Sequence, residues 1–126
     1  MPKAHLEFGK LGEKTAVDFL KASGYKIIQQ NYKTKVGEID IIAKEKDTLV
    51  FIEVKTRHTD AFGEPQSAVN KFKQNQIAKA ALYYLKENAL LEKPARFDII
   101  AVHYTNQNPK INLIKNAFDL NSKYTY

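Results

Sequence analysis

Two acidic residues and one lysine, Asp40, Glu53 and Lys55, are the residues whose types and spacing could support chemistry. Both acids interrupt apolar runs that are otherwise typical of strands buried on both faces. A charged side chain at such a position is costly unless it is paired, protonated or bound to a metal ion. The pattern therefore indicates either a divalent-cation site or a structural cluster of ion pairs.

The two apolar runs predict how these residues are brought together. Residues Ile39–Ala43 and Leu49–Val54 are rich in strand-forming residues, and only a short polar stretch separates them. A connection this short joins antiparallel neighbours, so we predict a β-hairpin. We place the centre of its turn between Lys46 and Asp47.

In this register Asp40 lies opposite Glu53, and Glu38 lies opposite Lys55. Side chains alternate between the faces of a strand, so these four project from the same side of the sheet. Two carboxylates about 5 Å apart repel by about 3 kcal/mol at an effective dielectric constant near 20. A divalent cation converts that repulsion into attraction, and Mg²⁺ suits the position because it binds one or two carboxylates and retains several waters. Lys55 would orient an attacking water or stabilise charge on phosphorus, and an ion pair with Glu38 is the structural alternative.

Glu13 is a third acid on a predicted apolar surface. It precedes Ala16, Val17 and Leu20 at the spacing that puts all four residues on one helix face. A glutamate on that face points inward and would reach the metal directly or through water. The alternative is a first-turn glutamate favoured by the helix dipole or paired with a lysine.

The elements that position these residues follow from periodicity and from breakers such as glycine and proline. The strand after the second helix returns beside the hairpin, and a right-handed crossover makes that pair parallel. The predicted order is α-β-β-β-α-β-β, an α/β domain with a mixed sheet. The predicted elements are a helix over 6–23 stopped by Gly24, strands over 25–32, 39–43 and 49–54, a helix over 65–88 with Pro65 in its first turn, a strand over 96–104 and a weaker one over 110–114. Within the second helix, the predicted buried residues are Val69, Phe72, Ile77, Ala80, Ala81, Tyr84 and Leu85.

The length and composition limit the class of protein. A chain of 126 residues fits one domain, here a core over about 6–115 and a tail over 116–126. It has no cysteine, no apolar run long enough to span a bilayer and no signal-like start, so we expect a cytoplasmic protein without a membrane partner. The net charge of +6 favours a polyanion such as nucleic acid, with general solubility as the alternative. Only Arg57 and Arg96 are arginines, which favours phosphate contacts over reading of base sequence.

Polar residues around the hairpin are candidates for nucleic-acid contacts. Lys33, Lys35 and Arg57, with His58, flank the hairpin and would form the rim of a groove. Lys71 and Gln74 open the second helix and would contact phosphate or support the site, with Lys73 a weaker candidate. The alternative for each is an ordinary solvent-facing residue. We expect Asp98 to be a structural partner of Arg96 or of a backbone amide.

The residues also carry a resemblance to known families. Asp40 followed by Glu53-Val54-Lys55 resembles the PD-(D/E)XK pattern of the restriction-endonuclease-like superfamily, with Ile39 where the pattern's name has proline. Glu13 resembles the helix glutamate of archaeal Holliday-junction resolvases in that superfamily. More narrowly, the chain resembles the YraN family of bacterial proteins over about residues 8–103, through Gly12-Glu13, Gly37-Glu38-Ile39-Asp40, Phe51-Ile52-Glu53-Val54-Lys55-Thr56-Arg57 and Arg96-Phe97-Asp98.

The resemblance implies a restriction-endonuclease-like fold with a mixed central sheet flanked by helices. It implies Mg²⁺- or Mn²⁺-dependent hydrolysis of phosphodiester bonds in DNA, with RNA less favoured. Asp40, Glu53 and the Val54 carbonyl would be metal ligands, Glu13 would complete the shell, and Lys55 would be the motif lysine. A homodimer is left open, because resolvases that act on symmetric junctions need two sites. Two alternatives also remain: a non-catalytic nucleic-acid-binding module, and a protein-interaction domain whose acids only support the fold.

Overall fold

Seven elements in the order α-β-β-β-α-β-β form a five-stranded mixed sheet with a helix on each face, which confirms the predicted fold class. A computed structural model describes residues 3–57, 69–105 and 108–119. The strands lie in the sheet in chain order, β1-β2-β3-β4-β5. The elements are α1 (Lys3–Ala22), β1 (Lys26–Lys33), β2 (Glu38–Glu45), β3 (Thr48–Arg57), α2 (Lys71–Glu87), β4 (Ala95–Thr105) and β5 (Asn108–Phe118).

Strands β2 and β3 form the predicted hairpin in the predicted register. Their pairs run from Glu45↔Thr48 at the turn to Ile41↔Ile52. Lys46 occupies the first turn position with a left-handed φ of 54°. The short polar connection and the alternation of apolar residues are therefore sufficient to set this register.

Strand β4 lies parallel to β3, as the crossover through α2 predicted. Strand β5 returns antiparallel to β4 and closes the sheet on that side. It is longer than the weak strand predicted over 110–114, because its pairing continues to Phe97↔Phe118 across a bulge. The central strands β3 and β4 are thus paired on both sides, which accounts for their nearly continuous burial.

Each helix covers one face of the sheet with its own apolar cluster. On one side, α2 packs its buried residues over Phe51 and Ile99. On the other side, α1 packs Ala16, Val17 and Leu20 over inward residues of β2, β3 and β4. No helix in the described part of the chain has the length and apolar character needed to cross a bilayer.

Helix α1 ends where the sequence predicted. Gly24 has a φ of +96°, which L side chains rarely adopt. Its N–H donates to the Lys21 carbonyl at 3.1 Å, and the Tyr25 N–H donates to the Leu20 carbonyl at 2.9 Å. This is the Schellman pattern of hydrogen bonds, so the glycine both ends the helix and turns the chain into β1.

Helix α2 begins later than predicted. The Asn70 side chain accepts a hydrogen bond from the Lys73 N–H at 2.9 Å, so Asn70 is the N-cap and the helix starts at Lys71. The prediction relied on Pro65, which lies outside the described residues. Phe72, predicted to be buried, is 71% exposed, and that prediction was wrong. It is five positions before buried Ile77, about 140° around the helix, so it faces away from the sheet.

A buried polar network joins β4 to its neighbours at the end of the sheet that holds the hairpin turn. Asp98 is fully buried and accepts hydrogen bonds from the Tyr25 hydroxyl at 3.0 Å and from the Asn116 N–H at 2.9 Å. The Arg96 guanidinium also donates to Asp98 and pairs with Glu45. Asp98 therefore has the structural role that the sequence predicted for it.

Candidate metal centre

The candidate site lies where β2 and β3 separate. Beyond Ile41↔Ile52 the described parts of these strands form no further pairs with each other. Instead, Oδ2 of Asp40 accepts a hydrogen bond from the Val54 backbone N–H at 2.8 Å. The N–H and C=O of a strand residue are directed towards the same neighbouring strand, so the Val54 carbonyl is directed into this opening as well.

Glu53 is the buried acid of the site. Glu53 is 5% exposed, and its side chain shares a hydrogen bond with the carboxyl group of Asp40. Burial raises the pKa of Glu53 most, and the charge of Asp40 and that hydrogen bond raise it further, to about 8. The positive charges of Lys73 and Lys55 oppose this rise. At neutral pH the Glu53 carboxyl group therefore retains its proton.

Two ammonium groups approach the same oxygen of Glu53. Nζ of Lys73 lies 3.7 Å from Oε2 of Glu53, and Nζ of Lys55 lies 4.0 Å from it. The two lysine side chains are 40% and 33% exposed, so water screens both ion pairs. Lys55 does not pair with Glu38 in a cross-strand ladder as expected, because β2 and β3 have already separated at that level.

Lys73 is the site residue to which the sequence analysis assigned too little weight. It lies four positions before Ile77 and so shares the buried face of α2 with Ile77, Ala81 and Tyr84. That spacing was visible in the sequence. Lys73 was given less weight because most basic residues on a helix face solvent.

Glu13 approaches the site from α1. One of its carboxylate oxygens, Oε1, is buried and has no hydrogen-bond partner among the residues that the structure describes. Burial raises the pKa of Glu13, and the nearby charges of Asp40 and Glu38 raise it further. An unpartnered buried carboxylate oxygen close to another acid is a position that a cation or its bound water would satisfy.

Two glycines allow the helices to come this close to the site. A Cβ at Gly12 would lie 1.9 Å from Oγ1 of Thr56, so only glycine lets α1 cross β3 beside Glu13. A Cβ at Gly37 would lie 2.7 Å from the carbonyl oxygen of Gln76, so glycine also lets the start of β2 rest on α2. Both contacts adjoin the acids, which explains two glycines of the motif by packing.

The donor set suits a hard divalent cation. Asp40 and Glu53 supply carboxylate oxygens, and the Val54 carbonyl and Glu13 lie around the same opening. Oxygen donors of this kind match Mg²⁺ and Mn²⁺, and Mg²⁺ needs only one or two carboxylates. Among the described residues, no group of three or more His, Cys, Asp and Glu side chains is arranged to hold a metal. Glu13 would therefore act through a water molecule in this geometry.

Comparison with known proteins identifies the family. Residues 12–102 match the model of the family described as "Uncharacterised protein family UPF0102". The chain belongs to the UPF0102 family. A UPF0102 protein of Syntrophus aciditrophicus is 48% identical over 116 residues, which are 92% of this chain and 91% of that protein. One of Geotalea daltonii is 51% identical over 113 residues, 89% of each chain. This agrees with the predicted resemblance to the YraN proteins, whose family is UPF0102.

Two solved structures are more distantly similar to this UPF0102 protein. SSO0001 is 19% identical with a TM-score of 0.39, and SfsA of Pyrococcus furiosus in complex with Ca²⁺ is 14% identical with a TM-score of 0.37. The chain spans 54% and 63% of their lengths, respectively. At such scores neither likeness bears on the function of the UPF0102 chain.

The predicted rim residues are distributed unevenly around the site of this UPF0102 protein. Lys33 is exposed and lies opposite Glu38 in the register of β1 with β2. Lys35 is exposed in the turn that follows. Arg57 is half-buried at the end of β3, two residues beyond Lys55. On α2, Lys71 is exposed, whereas the Gln74 side chain donates to the Val69 carbonyl at 2.8 Å. Gln74 thus supports the start of α2, and His58 lies outside the described residues.

Proposed function

We propose that this protein is a divalent-metal-dependent nuclease that hydrolyses phosphodiester bonds in branched or single-stranded DNA. The observation that carries the proposal is the Asp40–Glu53 pair at the opening between β2 and β3, where burial and mutual repulsion raise the pKa of Glu53 to about 8. Glu53 retains its proton at neutral pH because burial and the charge of Asp40 outweigh the attraction of Lys73 and Lys55. A bound Mg²⁺ or Mn²⁺ would replace that proton.

In this proposal Asp40, Glu53 and the Val54 carbonyl hold the metal, and Glu13 completes the shell through water. When bound, the divalent cation supplies a Lewis acid and a water of lowered pKa beside the scissile phosphate. The hydrogen bond from the Val54 N–H holds the Asp40 carboxylate towards β3. The resemblance of these residues to the PD-(D/E)XK pattern supports the same assignment.

The two lysines act on the substrate in this scheme. With a metal ion neutralising Glu53, the Lys55 and Lys73 ammonium groups next to Oε2 would be free to face a phosphate. Lys55 orients the attacking water, and both lysines stabilise the negative charge that develops on the phosphoryl oxygens. The net charge of +6 supports a polyanionic substrate.

The test is cleavage of labelled branched, flapped and single-stranded DNA, with an RNA strand for comparison, in Mg²⁺ or Mn²⁺. Asp40→Asn and Glu53→Gln keep side-chain size but remove a ligand charge, and we expect each to lower the cleavage rate about 100-fold or more. Asp18→Asn, at an exposed position on α1, is the matched control and should cleave at the wild-type rate. Equal rates in all four proteins would refute the assignment.

The cleavage experiment also tests the alternative that the protein is a non-catalytic nucleic-acid-binding module. It predicts DNA binding whose affinity falls linearly with salt on logarithmic axes, with no product in either metal. Gel filtration of the DNA complex, run beside the cleavage assay, would show whether two copies of the chain assemble on a symmetric junction.

A further inference from the structure

A surface groove of about 300 Å³ lies between α1 and β1, next to the candidate metal centre. We call it the α1–β1 groove. Its volume is at the lower end of the range for small-ligand sites. The residues that line it are Lys10, Glu13, Lys14, Val17, Gln30 and Asn31.

An irregularity in β1 connects this groove to the site. Asn31 has a left-handed φ of 54°, which asparagine tolerates better than most residues. Gln30 before it lines the groove on the α1 side, whereas Tyr32 after it packs edge-to-face on Tyr84 of α2. The β1–β2 pairs Gln30↔Ile41 and Tyr32↔Ile39 place Asn31 at the level of Asp40. The groove therefore ends beside the acids.

The groove is basic where it opens to solvent. Lys10 and Lys14 are both exposed and lie one helical turn apart, about 6 Å along the axis of α1. No ion pair found in the described residues involves either ammonium group. Glu13, the acid that lines the groove, has its oxygen Oε1 buried. The lining thus presents two exposed ammonium groups on successive turns of α1, an arrangement suited to a chain of phosphates.

We propose that the α1–β1 groove binds the phosphodiester backbone of the DNA strand beside the scissile phosphate. Lys10 and Lys14 contact successive phosphates, and Gln30 and Asn31 supply amide hydrogen bonds on the opposite wall. The strand therefore reaches the metal centre along α1. This inference rests on the proposed function and adds the path of the substrate.

The experiment compares two double variants that lose the same charge. Lys10→Ala with Lys14→Ala empties the groove of its cations, whereas Lys86→Ala with Lys110→Ala removes exposed lysines from α2 and β5. Binding of fluorescent single-stranded and duplex DNA is measured by anisotropy in EDTA between 50 and 200 mM salt, after circular dichroism has shown that each variant is folded. The groove variant should lose about 1.8 from the slope of log affinity against log salt on duplex and about 1.4 on single strands.

The control variant should keep the wild-type slope on both DNA forms. Equal slopes in the two double variants, or no DNA binding by the wild-type protein, would overturn the groove assignment. The Asp40→Asn and Glu53→Gln variants separate this inference from the nuclease proposal, because they should lose cleavage and keep the wild-type salt slope. If the groove variant loses slope while the wild-type protein cleaves nothing, the groove stands and the nuclease does not.

Discussion

Replacing Glu53 by Gln should remove a pH dependence of stability from the metal-free protein. The folded state raises the pKa of Glu53 from 4.5 to about 8, so the folded protein holds this proton more tightly than the unfolded chain. The contribution of this proton to the free energy of unfolding is fully present below pH 4.5 and is lost as the pH rises through 8. The glutamine variant carries no such group and keeps its stability over the same interval.

The size of the effect follows from the same shift. Each pKa unit corresponds to about 1.4 kcal/mol, so the change from 4.5 to about 8 sets an upper bound of about 5 kcal/mol. Water entering the opening of the sheet, and adjustment of the two neighbouring lysines, reduce this value. We expect the free energy of unfolding of the wild-type protein to fall by roughly 2–5 kcal/mol relative to Glu53→Gln. That is a large part of the stability of an ordinary domain.

The assay is urea unfolding of both proteins in EDTA from pH 5 to pH 9. Subtracting the free energy of unfolding of one protein from that of the other cancels the contributions of the titrating groups that both proteins share. Mn²⁺ added at pH 8 should restore the stability of the wild-type protein, because binding the ion replaces the lost proton, and should have little effect on the glutamine variant. Glu92→Gln, at an exposed position, provides the baseline for the same chemical change.

If the difference in free energy of unfolding between the wild-type and Glu53→Gln proteins is constant from pH 5 to pH 9, this reasoning is refuted. It would mean that Glu53 is ionised in the folded protein throughout and that the lysines neutralise it. The protonated pair that marks the place of the cation would then not exist.

Two further substitutions test the packing and the charges of the site. Gly12→Ala puts a Cβ 1.9 Å from a hydroxyl oxygen of β3 and should lower the melting temperature. The control Gly9→Ala meets nothing within 4 Å in the described part of the chain and should stabilise α1 by about 1 kcal/mol. Equal melting temperatures of the two variants would contradict the close approach of α1 to β3. Lys73→Met removes an ammonium group 3.7 Å from Glu53, so the pH midpoint of Mn²⁺ binding in calorimetry should rise. The control Lys71→Met, at an exposed position, should leave this midpoint unchanged. Identical midpoints in the two variants would exclude Lys73 from the site.

Much of the arrangement around the acids could be predicted because it depends on local rules. The register of β2 and β3 follows from a short connection and from alternating side chains, and one residue of slip would expose the whole apolar face. The end of α1 follows from the need for a residue with positive φ, which Gly24 meets. The parallel pairing of β3 with β4 follows from the handedness of crossovers.

The errors come from competition between local signals and from packing. The sequence predicted that α2 begins near Pro65, and the hydrogen bond from the Lys73 N–H to the Asn70 side chain shows that it begins after Asn70. Lys73 was given little weight because most helix lysines face solvent, and Phe72 was placed in the core although it lies about 140° around the helix from Ile77. Separation of β2 from β3 beyond Ile41↔Ile52 could not be predicted either, since a regular ladder is the simplest continuation of a hairpin.

The sequence by itself determined which residues carry charge into an apolar sheet, the order of the elements and the hairpin that makes Asp40 and Glu53 neighbours. These follow from side-chain period, turn chemistry and chirality, which act over a few residues. Only the tertiary structure decided the electrostatics of the site. The raised pKa of Glu53, the unpartnered oxygen of Glu13 and the approach of Lys73 depend on how closely α1 and α2 pack against the sheet, because burial and distance to other charges are set by the whole fold.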